Sequence, residues 1–445
     1  MTKFYSALPG ILLCLALIPA HAAQSEEAAT TATIATPPVA TSETTGVATE
    51  LYDPLPHIAT LDLTLPPDDL WERIRHGFGM PNLSNELVSQ HQATYLARPE
   101  YLRRVVERSR RYMHHIVEEL EKRGMPTELA LLPIVESAYN PMAYSPAHAA
   151  GMWQFIPSTG KNYRLEQNWW VDQRRDIIAS TSAALDYLQT IYELHGDWHL
   201  ALASYNWGEN AVARAIGKNR AKGLPTDYMS LSMPTETRNY VPKLQALKNI
   251  ISQPELFKVR LDPIANKPYF VTVEKPADMD VAVAAKLAEI STDEFLALNP
   301  AYNRPVMPVK GNLSFVLPAE KAAIFQSNLE NFDKRLTNWR PYTLKTGETL
   351  NTVAARHGIS MARLKQVNGI SAKMKVRTGN TLLVPAGSAE APGDLSSVNL
   401  PVVKPNVPKI AKPGKSKGKK KTTGRSSTKK PTGKKAPAKK HGKRR

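Results

Sequence analysis

Apolar residues recur at helical spacing through the first half of the chain, and the pattern changes beyond it. This spacing predicts a mainly α domain over residues 99–256. One helix is expected over Arg98–Gly124. A second is expected between Pro126 and Pro141, because proline fits a first turn and also ends helices. Residues 51–98 are expected to wrap around this domain.

A pattern of strand, two helices and strand occurs twice in the second half. The later copy spans residues 341–386, and the earlier copy spans residues 269–319. Asn299 corresponds to Asn368 at an offset of 368 − 299 = 69, which other landmarks of the two copies share. The pattern therefore predicts two small α+β (βααβ) modules. The earlier copy lacks a counterpart of Gly347, which leaves open whether it binds the same ligand.

Glu136 is an ionisable residue in the otherwise apolar stretch Glu128–Pro141. Leu129, Leu132 and Glu136 fall at i, i+3 and i+7, so in a helix the carboxyl shares a face with leucines. Burial and a helix C-terminus both disfavour negative charge, which would raise the carboxyl pKa and suit a general acid. On position alone, a helix-end glutamate turned to solvent is an equal alternative.

Further motifs follow Glu136 in order. They are Gly151–Pro157, Ser204–Gly208 and Glu236–Pro242. The succession Glu-Ser, Gly-x-x-Gln, Ser-Tyr-Asn and a late Tyr resembles the goose-type lysozyme and lytic transglycosylase superfamily over about residues 65–255. Ser204 stands where alanine is commoner, and Trp153 where many relatives have methionine. The resemblance implies a lysozyme-like fold and cleavage of the glycan strands of peptidoglycan.

The resemblance also implies a role for each motif residue. Glu136 would protonate the oxygen between MurNAc and GlcNAc, then act as base while the MurNAc C6 hydroxyl attacks C1, leaving a 1,6-anhydro end. No cofactor or metal is implied. The substrate-binding residues would be Ser137, Met152, Gln154, Tyr205, Asn206 and Tyr240. Ser137 could equally cap its helix, and Tyr240 could instead be a core tyrosine.

The acids downstream of Glu136 fit structural roles better than catalytic ones. Asp172 and Asp176 flank two arginines, which favours an ion pair or a helix cap, and Glu166 lies outside the motifs. Glycosidases usually need two carboxylates, so a single one favours a substrate that supplies its own nucleophile. Five of the seven tryptophans lie between residues 153 and 207, and we expect one or two of them to contact sugar.

The later of the two repeated modules resembles a LysM peptidoglycan-binding module, and the earlier one a degenerate LysM-like repeat. An enzyme and a wall-anchoring protein that only binds glycan are therefore both open readings. The complete set of Glu136, Gln154, Asn206 and Tyr240 favours the enzyme, because a binding protein would be free to lose the carboxyl. A muramidase that uses water differs from a transglycosylase only in its product.

The N-terminal residues predict export. Lys3 precedes an apolar stretch and an Ala-x-Ala cleavage pattern, which indicates a signal peptide over residues 1–22. Residues 23–50, rich in Ala, Thr and Pro, are expected to form a disordered leader. The only cysteine, Cys14, follows leucines where a lipoprotein signal has small residues. We therefore expect a periplasmic, envelope-associated protein without a lipid anchor.

Residues 387–445 are expected to form a basic, disordered tail. From Pro401 to Arg445 there are eighteen Lys and Arg and no Asp or Glu, and the whole chain's excess is also 58 − 40 = 18. The tail therefore carries the entire net charge. Export argues against a physiological nucleic acid, so anionic membrane or envelope polymers are the expected partners. A solvated tail without a partner is the alternative, and the sequence does not indicate an oligomeric state.

Overall fold

The computed structural model describes residues 67–309 and 314–387. The expected signal peptide, the leader, residues 51–66 of the wrap segment and the tail beyond residue 387 lie outside the described residues.

The mainly α expectation is confirmed for the first part of the chain, up to residue 256. Its helices are α1 (Leu70–His76), α2 (Glu86–Leu96), α3 (Pro99–Ser109), α4 (Met113–Lys122), α5 (Leu132–Ser137), α6 (Pro157–Asn162), α7 (Ile177–His195), α8 (Trp198–Trp207), α9 (Glu209–Arg220) and α10 (Thr235–Ser252), with short 3₁₀ helices at Thr127–Leu131 and Tyr228–Ser230.

Helix α8 packs against α7, α9 and α10 and carries the start of the Ser-Tyr-Asn motif. Its segment Ala201–Ala203 is fully buried, and the small alanines allow close approach of the neighbouring helices. Asp176 caps α7 by accepting from the Ala179 amide at 2.8 Å, and Asp197 caps α8 by accepting from the Leu200 amide at 2.9 Å. The expected structural role of Asp176 is confirmed.

The segment expected to form one helix over residues 98–124 forms two, α3 and α4. Ser109 at the end of α3 donates its hydroxyl to the carbonyl oxygen of Val106 at 2.7 Å, a back-bond that bends helices. Tyr112 then turns its ring against Tyr139, with centroids 6.4 Å apart. These side-chain contacts interrupt a pattern that apolar spacing alone predicts as continuous.

The helix that presents Glu136 is also shorter than expected. Its first turn is the 3₁₀ helix Thr127–Leu131, and α5 ends at Ser137, well before Pro141. Ala138 and Tyr139 then adopt left-handed backbone conformations with φ of 52° and 55°. Such φ values are costly for residues with a side chain, and they turn the chain sharply just after the glutamate.

The described part of the wrap segment packs on the helical domain, with α1 and α2 both against α10. A buried ionic contact joins the two. Glu128 is 1% exposed and accepts from the amides of Gly79 at 3.0 Å and Met80 at 2.9 Å. Its carboxylate also lies 2.8 Å from Lys248 Nζ on α10. One side chain therefore anchors three separate stretches of chain.

Beyond α10 the chain forms two small modules of the same build, as the α+β expectation requires. Each has an antiparallel pair of outer strands enclosing two helices. The first contains β1 (Phe270–Glu274), β2 (Met279–Asp280), α11 (Val281–Leu287), α12 (Thr292–Leu298), β3 (Val306–Met307) and β4 (Ser314–Pro318). The second contains β5 (Trp339–Thr343), α14 (Leu350–Arg356), α15 (Met361–Val367) and β6 (Thr381–Pro385). The segment between them forms a 3₁₀ turn (Ala319–Lys321) and α13 (Ala322–Glu330).

One asparagine makes the same hydrogen bonds in both modules. Asn299 donates to the carbonyl of Val316 and accepts from its amide, both at 2.8 Å. Asn368 does the same with Leu383, at 2.9 and 2.6 Å. Each asparagine therefore ties the second helix to the closing strand, 17 residues further along in the first module and 15 in the second, so the two modules share this connection.

Candidate active site

Glu136 lies in the last turn of α5 and is partly accessible to solvent. Tyr240 on α10, 104 residues away in the chain, donates its hydroxyl to Glu136 Oε1. Tyr240 is itself 3% exposed, so packing holds this hydroxyl against the carboxyl. Tyr240 is therefore a core tyrosine whose hydroxyl contacts the glutamate.

The surroundings of Glu136 favour its protonated form. Desolvation by the protein raises the pKa of the carboxyl to about 7, and the negative charge of Glu236 contributes in the same direction. The Tyr240 hydrogen bond and the positive charge of Lys243 oppose this shift by favouring the carboxylate. The balance leaves a carboxyl that can both hold and release a proton near neutral pH.

Ser137 and Met152 connect the glutamate helix to the Gly-x-x-Gln loop. The Ser137 hydroxyl lies 2.9 Å from the carbonyl oxygen of Met152 and 3.2 Å from that of Pro133. It therefore bonds main-chain groups at the end of its own helix and in the neighbouring loop. The Met152 side chain is 1% exposed and packs in the core, so the residue offers the site its main chain rather than its side chain.

Gln154 sits in a tight loop that only glycine at position 151 permits. Gly151 has φ of +86°, and a Cβ there would lie 2.0 Å from the carbonyl oxygen of Arg174. Gln154 also has positive φ, 50°, and its Nε2 donates to the Gly151 carbonyl at 2.8 Å. The glycine of the motif thus allows a close backbone approach that holds the glutamine in place.

Tyr205 and Asn206, adjacent on α8, have different partners. The Tyr205 hydroxyl donates to the carbonyl of Trp153 at 2.8 Å. Burial, followed by the nearby charge of Glu136, raises the pKa of Tyr205 well above its usual value. Asn206 Oδ1 accepts from the hydroxyl of Thr237 at 2.8 Å. The helix α8 motif therefore meets both the glutamine loop and α10.

Thr237 is a site residue that the sequence analysis missed. It lies three residues before Tyr240, so both project from one face of α10. Tyr240 contacts Glu136 while Thr237 contacts Asn206. The i, i+3 spacing within the Glu236–Pro242 motif was the available signal.

Three acids that follow Glu136 in the chain, Glu166, Asp172 and Asp176, have structural partners. Asp172 forms a two-point ion pair with Arg174, at 2.9 and 2.7 Å, and Asp176 is the α7 cap. Glu166 is exposed and accepts from Asn168 at 2.5 Å. The expected ion pair and helix cap are both confirmed.

Most of the tryptophans serve packing. Trp153 is fully buried and donates to Thr181 Oγ1 at 3.1 Å, and Trp198 stacks on Tyr192 with centroids 4.2 Å apart. Trp169 is also buried. Trp207, directly after Asn206, is half-buried and packs against the edge of the core.

Three families match this chain. Residues 114–226 match the Transglycosylase SLT domain, residues 269–334 the family described as Lytic transglycosylase MltD, LysM-like domain, and residues 342–385 the LysM domain. The first repeat is thus matched over a range that includes α13. Each match falls on a part of the chain that the structure describes as a distinct set of helices and strands.

The curated relatives of this chain include several that are named lytic murein transglycosylases. The membrane-bound lytic murein transglycosylase D proteins of Escherichia coli strains K12 and O6:H1 are each 37% identical over 336 residues, covering 73% of this chain and 74% of the relative. The membrane-bound lytic murein transglycosylase C of Glaesserella parasuis is 29% identical over 152 residues, covering 31% of this chain and 42% of the relative. The first pair of matches is longer than the helical domain of residues 99–256, so it extends beyond that domain.

Proposed function

The chain belongs to the lytic murein transglycosylases, and we propose that Glu136 alone serves as acid and then as base in its reaction. One observation carries this proposal. Glu136 is a partly accessible carboxyl with a pKa near 7 and a tyrosine hydroxyl bonded to it, whereas Asp172 and Asp176 are committed to an ion pair and a cap. The four motifs contain one other acid, Glu236, which is exposed in the first turn of α10.

The proposed steps conserve protons. Glu136 gives its proton to the glycosidic oxygen as the bond from C1 of MurNAc to that oxygen breaks. The C6 hydroxyl of the same MurNAc then attacks C1, and its proton returns to Glu136. No water is consumed, so one carboxyl is sufficient and the product ends in 1,6-anhydro-MurNAc.

The product decides between this mechanism and hydrolysis. Digestion of purified peptidoglycan followed by mass spectrometry of the muropeptides should give anhydro ends, lighter by one water than hydrated reducing ends. Hydrated ends in their place would identify a muramidase, and no cleavage would support the glycan-anchoring alternative.

We propose that the motif side chains hold the sugar around Glu136. The Asn206 amide oxygen is engaged by Thr237, which directs its Nδ2 donors towards a sugar hydroxyl or acetamido oxygen. Gln154, Tyr205 and Ser137 would contribute from the loops next to it, with Met152 supporting them from the core. These polar groups, fixed by main-chain partners, suit a ligand with many hydroxyls.

The rate of cleavage should fall as pH rises through about 7, because only protonated Glu136 can act as the acid. Tyr240→Phe removes a hydrogen bond that favours the carboxylate, so the pKa of Glu136 should rise and the falling limb should move to higher pH. A profile of kcat/KM against pH on soluble glycan measures both. A limb in Tyr240→Phe that stays in place or moves to lower pH would contradict the assignment of Glu136 as the titrating acid.

The cellular compartment of this protein is a second part of the proposal. No helix within residues 67–309 and 314–387 is long and apolar enough to cross a membrane. The relatives from E. coli are named membrane-bound. We propose that this protein is exported to the periplasm and that its basic tail, rather than a lipid, attracts it to anionic membrane or envelope polymers.

Deleting residues 401–445 should abolish most salt-sensitive binding to anionic vesicles, because this segment carries the whole net charge. Each Lys or Arg near such a surface contributes on the order of 1 kcal/mol, within a Debye length of about 8 Å at physiological salt. Co-sedimentation across a salt series measures the effect, with cleavage of neutral soluble glycan as the control. Equal sedimentation of the two forms at low salt would leave the tail without this role.

A further inference from the structure

The two LysM-type modules differ in the burial of one short segment. In the first module, residues 301–307 follow Asn299 and lead into β3, and every residue of this junction segment is buried. The counterpart in the second module at the offset of 69 is residues 370–376, in which Ala372, Lys373 and Lys375 are exposed. The same part of one fold is therefore covered in one copy and open in the other.

The catalytic domain covers the junction segment through its loop at residues 168–175. The amide of Asp172 donates to the carbonyl of Ala301 at 2.9 Å, and the amide of Asn303 donates to the carbonyl of Trp170 at 2.8 Å. The Asn303 side chain adds a hydrogen bond from Nδ2 to the Asn168 carbonyl at 3.0 Å and accepts from Arg175. Main-chain and side-chain hydrogen bonds therefore join the 168–175 loop and the junction segment in one specific interface.

Charged and aromatic contacts extend the interface on both sides. The fully buried Arg304 places its guanidinium 4.6 Å from the centre of the Trp169 ring. Farther along, Arg111 of the catalytic domain makes a bidentate ion pair with Glu294 on α12, with contacts of 3.0, 3.0 and 2.6 Å. Tyr112 donates its hydroxyl to the carbonyl of Ala297 at 2.8 Å.

The second module is joined to the same place. Trp169 belongs to one apolar cluster with Val306 of the first module and Trp339 of the second. Asp280, in β2, accepts from the Thr337 hydroxyl at 2.9 Å and the Asn338 amide at 3.0 Å, just before β5. The first module therefore contacts the catalytic domain with one face and the start of the second module with another.

From these contacts we infer that the first LysM-like repeat is an internal docking module. Its junction segment binds the 168–175 loop of the catalytic domain and is unavailable to glycan, and the module fixes the second, open LysM domain relative to Glu136. The inference is independent of which residue performs catalysis. It also explains why Trp169 is buried rather than facing sugar.

Hydrogen exchange of the full chain carrying Glu136→Gln, which prevents digestion of added glycan, tests the inference. Peptides covering residues 301–307 should exchange at least about tenfold more slowly than those covering 370–376, because the Asn303 amide is bonded across the interface and every residue of the segment is buried. Adding soluble glycan strands at saturating concentration should leave exchange at 301–307 unchanged. Fast exchange at 301–307, or protection there by glycan, would overturn the inference.

A matched pair of substitutions isolates the interface. Asn303→Ala should raise exchange of residues 168–175 and 301–307 together, because both segments lose a shared set of hydrogen bonds. The substitution Ala372→Asn, at the counterpart position, should change neither segment. If Asn303→Ala raised exchange at 301–307 alone, the two segments would not form one interface. Should that variant fail to fold, the comparison of 301–307 with 370–376 still decides.

Discussion

Glu136→Gln should abolish glycan cleavage while leaving the fold and glycan binding intact. The amide has nearly the same shape as the carboxyl but can neither give the proton to the glycosidic oxygen nor recover it. Loss of general acid–base catalysis alone lowers a rate by about 10²–10⁴. Release of soluble muropeptides from purified sacculi measures the rate, and co-sedimentation with sacculi measures binding.

The pKa of Glu136 predicts the direction in which Glu136→Gln changes the stability of the fold. Burial raises the pKa of Glu136 from 4.5 to about 7, so the folded protein resists ionisation of a group that the unfolded chain ionises readily. As pH rises between these values the glutamate therefore lowers the stability of the fold, and above about 7 the full penalty applies. An uncharged amide avoids the penalty, so Glu136→Gln should unfold no earlier than wild type at pH 8.

Glu166→Gln supplies the matched control. Glu166 is an exposed acid near the same motifs, and it contacts Asn168 rather than any residue bonded to Glu136. Its conversion to an amide should leave the cleavage rate unchanged. More than about a tenth of wild-type activity in Glu136→Gln, far above what loss of the acid allows, would remove Glu136 from its proposed role.

The candidate site shows which contacts can be predicted from a sequence. Glu136 was conspicuous because a carboxyl interrupted an apolar run, and Asp172 and Asp176 were interpretable because nearby arginines and a helix start explain them. These are local signals. The contact between Tyr240 and Glu136 spans 104 residues, and the sequence drew attention to Tyr240 only through the resemblance to a known family.

Features that depend on tertiary packing were not visible in the sequence. Met152 was expected at the substrate, but the loop turn at Gly151 buries its side chain. The break between α3 and α4 follows from Ser109 back-bonding and from the packing of Tyr112 on Tyr139, neither of which changes the apolar period. Nothing in the composition of the junction segment distinguishes a docked loop from an open one.

Glu128→Ala should destabilise the protein by about 3–5 kcal/mol, the usual cost of removing one member of a buried ion pair. Glu128 lies eight residues before Glu136 in the same apolar run and is 1% exposed. Its loss would leave the Gly79 and Met80 amides without their carboxylate and Lys248 without its counter-charge. The wrap segment would then be held less firmly against α10. Urea denaturation followed by tryptophan fluorescence measures the change.

The exposed pair Glu100–Arg103, with side chains 65% and 70% accessible, provides the comparison. Glu100→Ala should cost less than about 1 kcal/mol, because solvent screens the pair. If Glu128→Ala lowered the free energy of unfolding by as little as Glu100→Ala does, water would reach the Lys248 contact. The wrap segment would then be held by apolar packing alone. Below its unfolding temperature Glu128→Ala should still cleave glycan, since Glu136 and Tyr240 keep their contact. The two glutamates of this apolar run would thus have different roles. Glu128 stabilises the fold, and Glu136 takes part in the reaction.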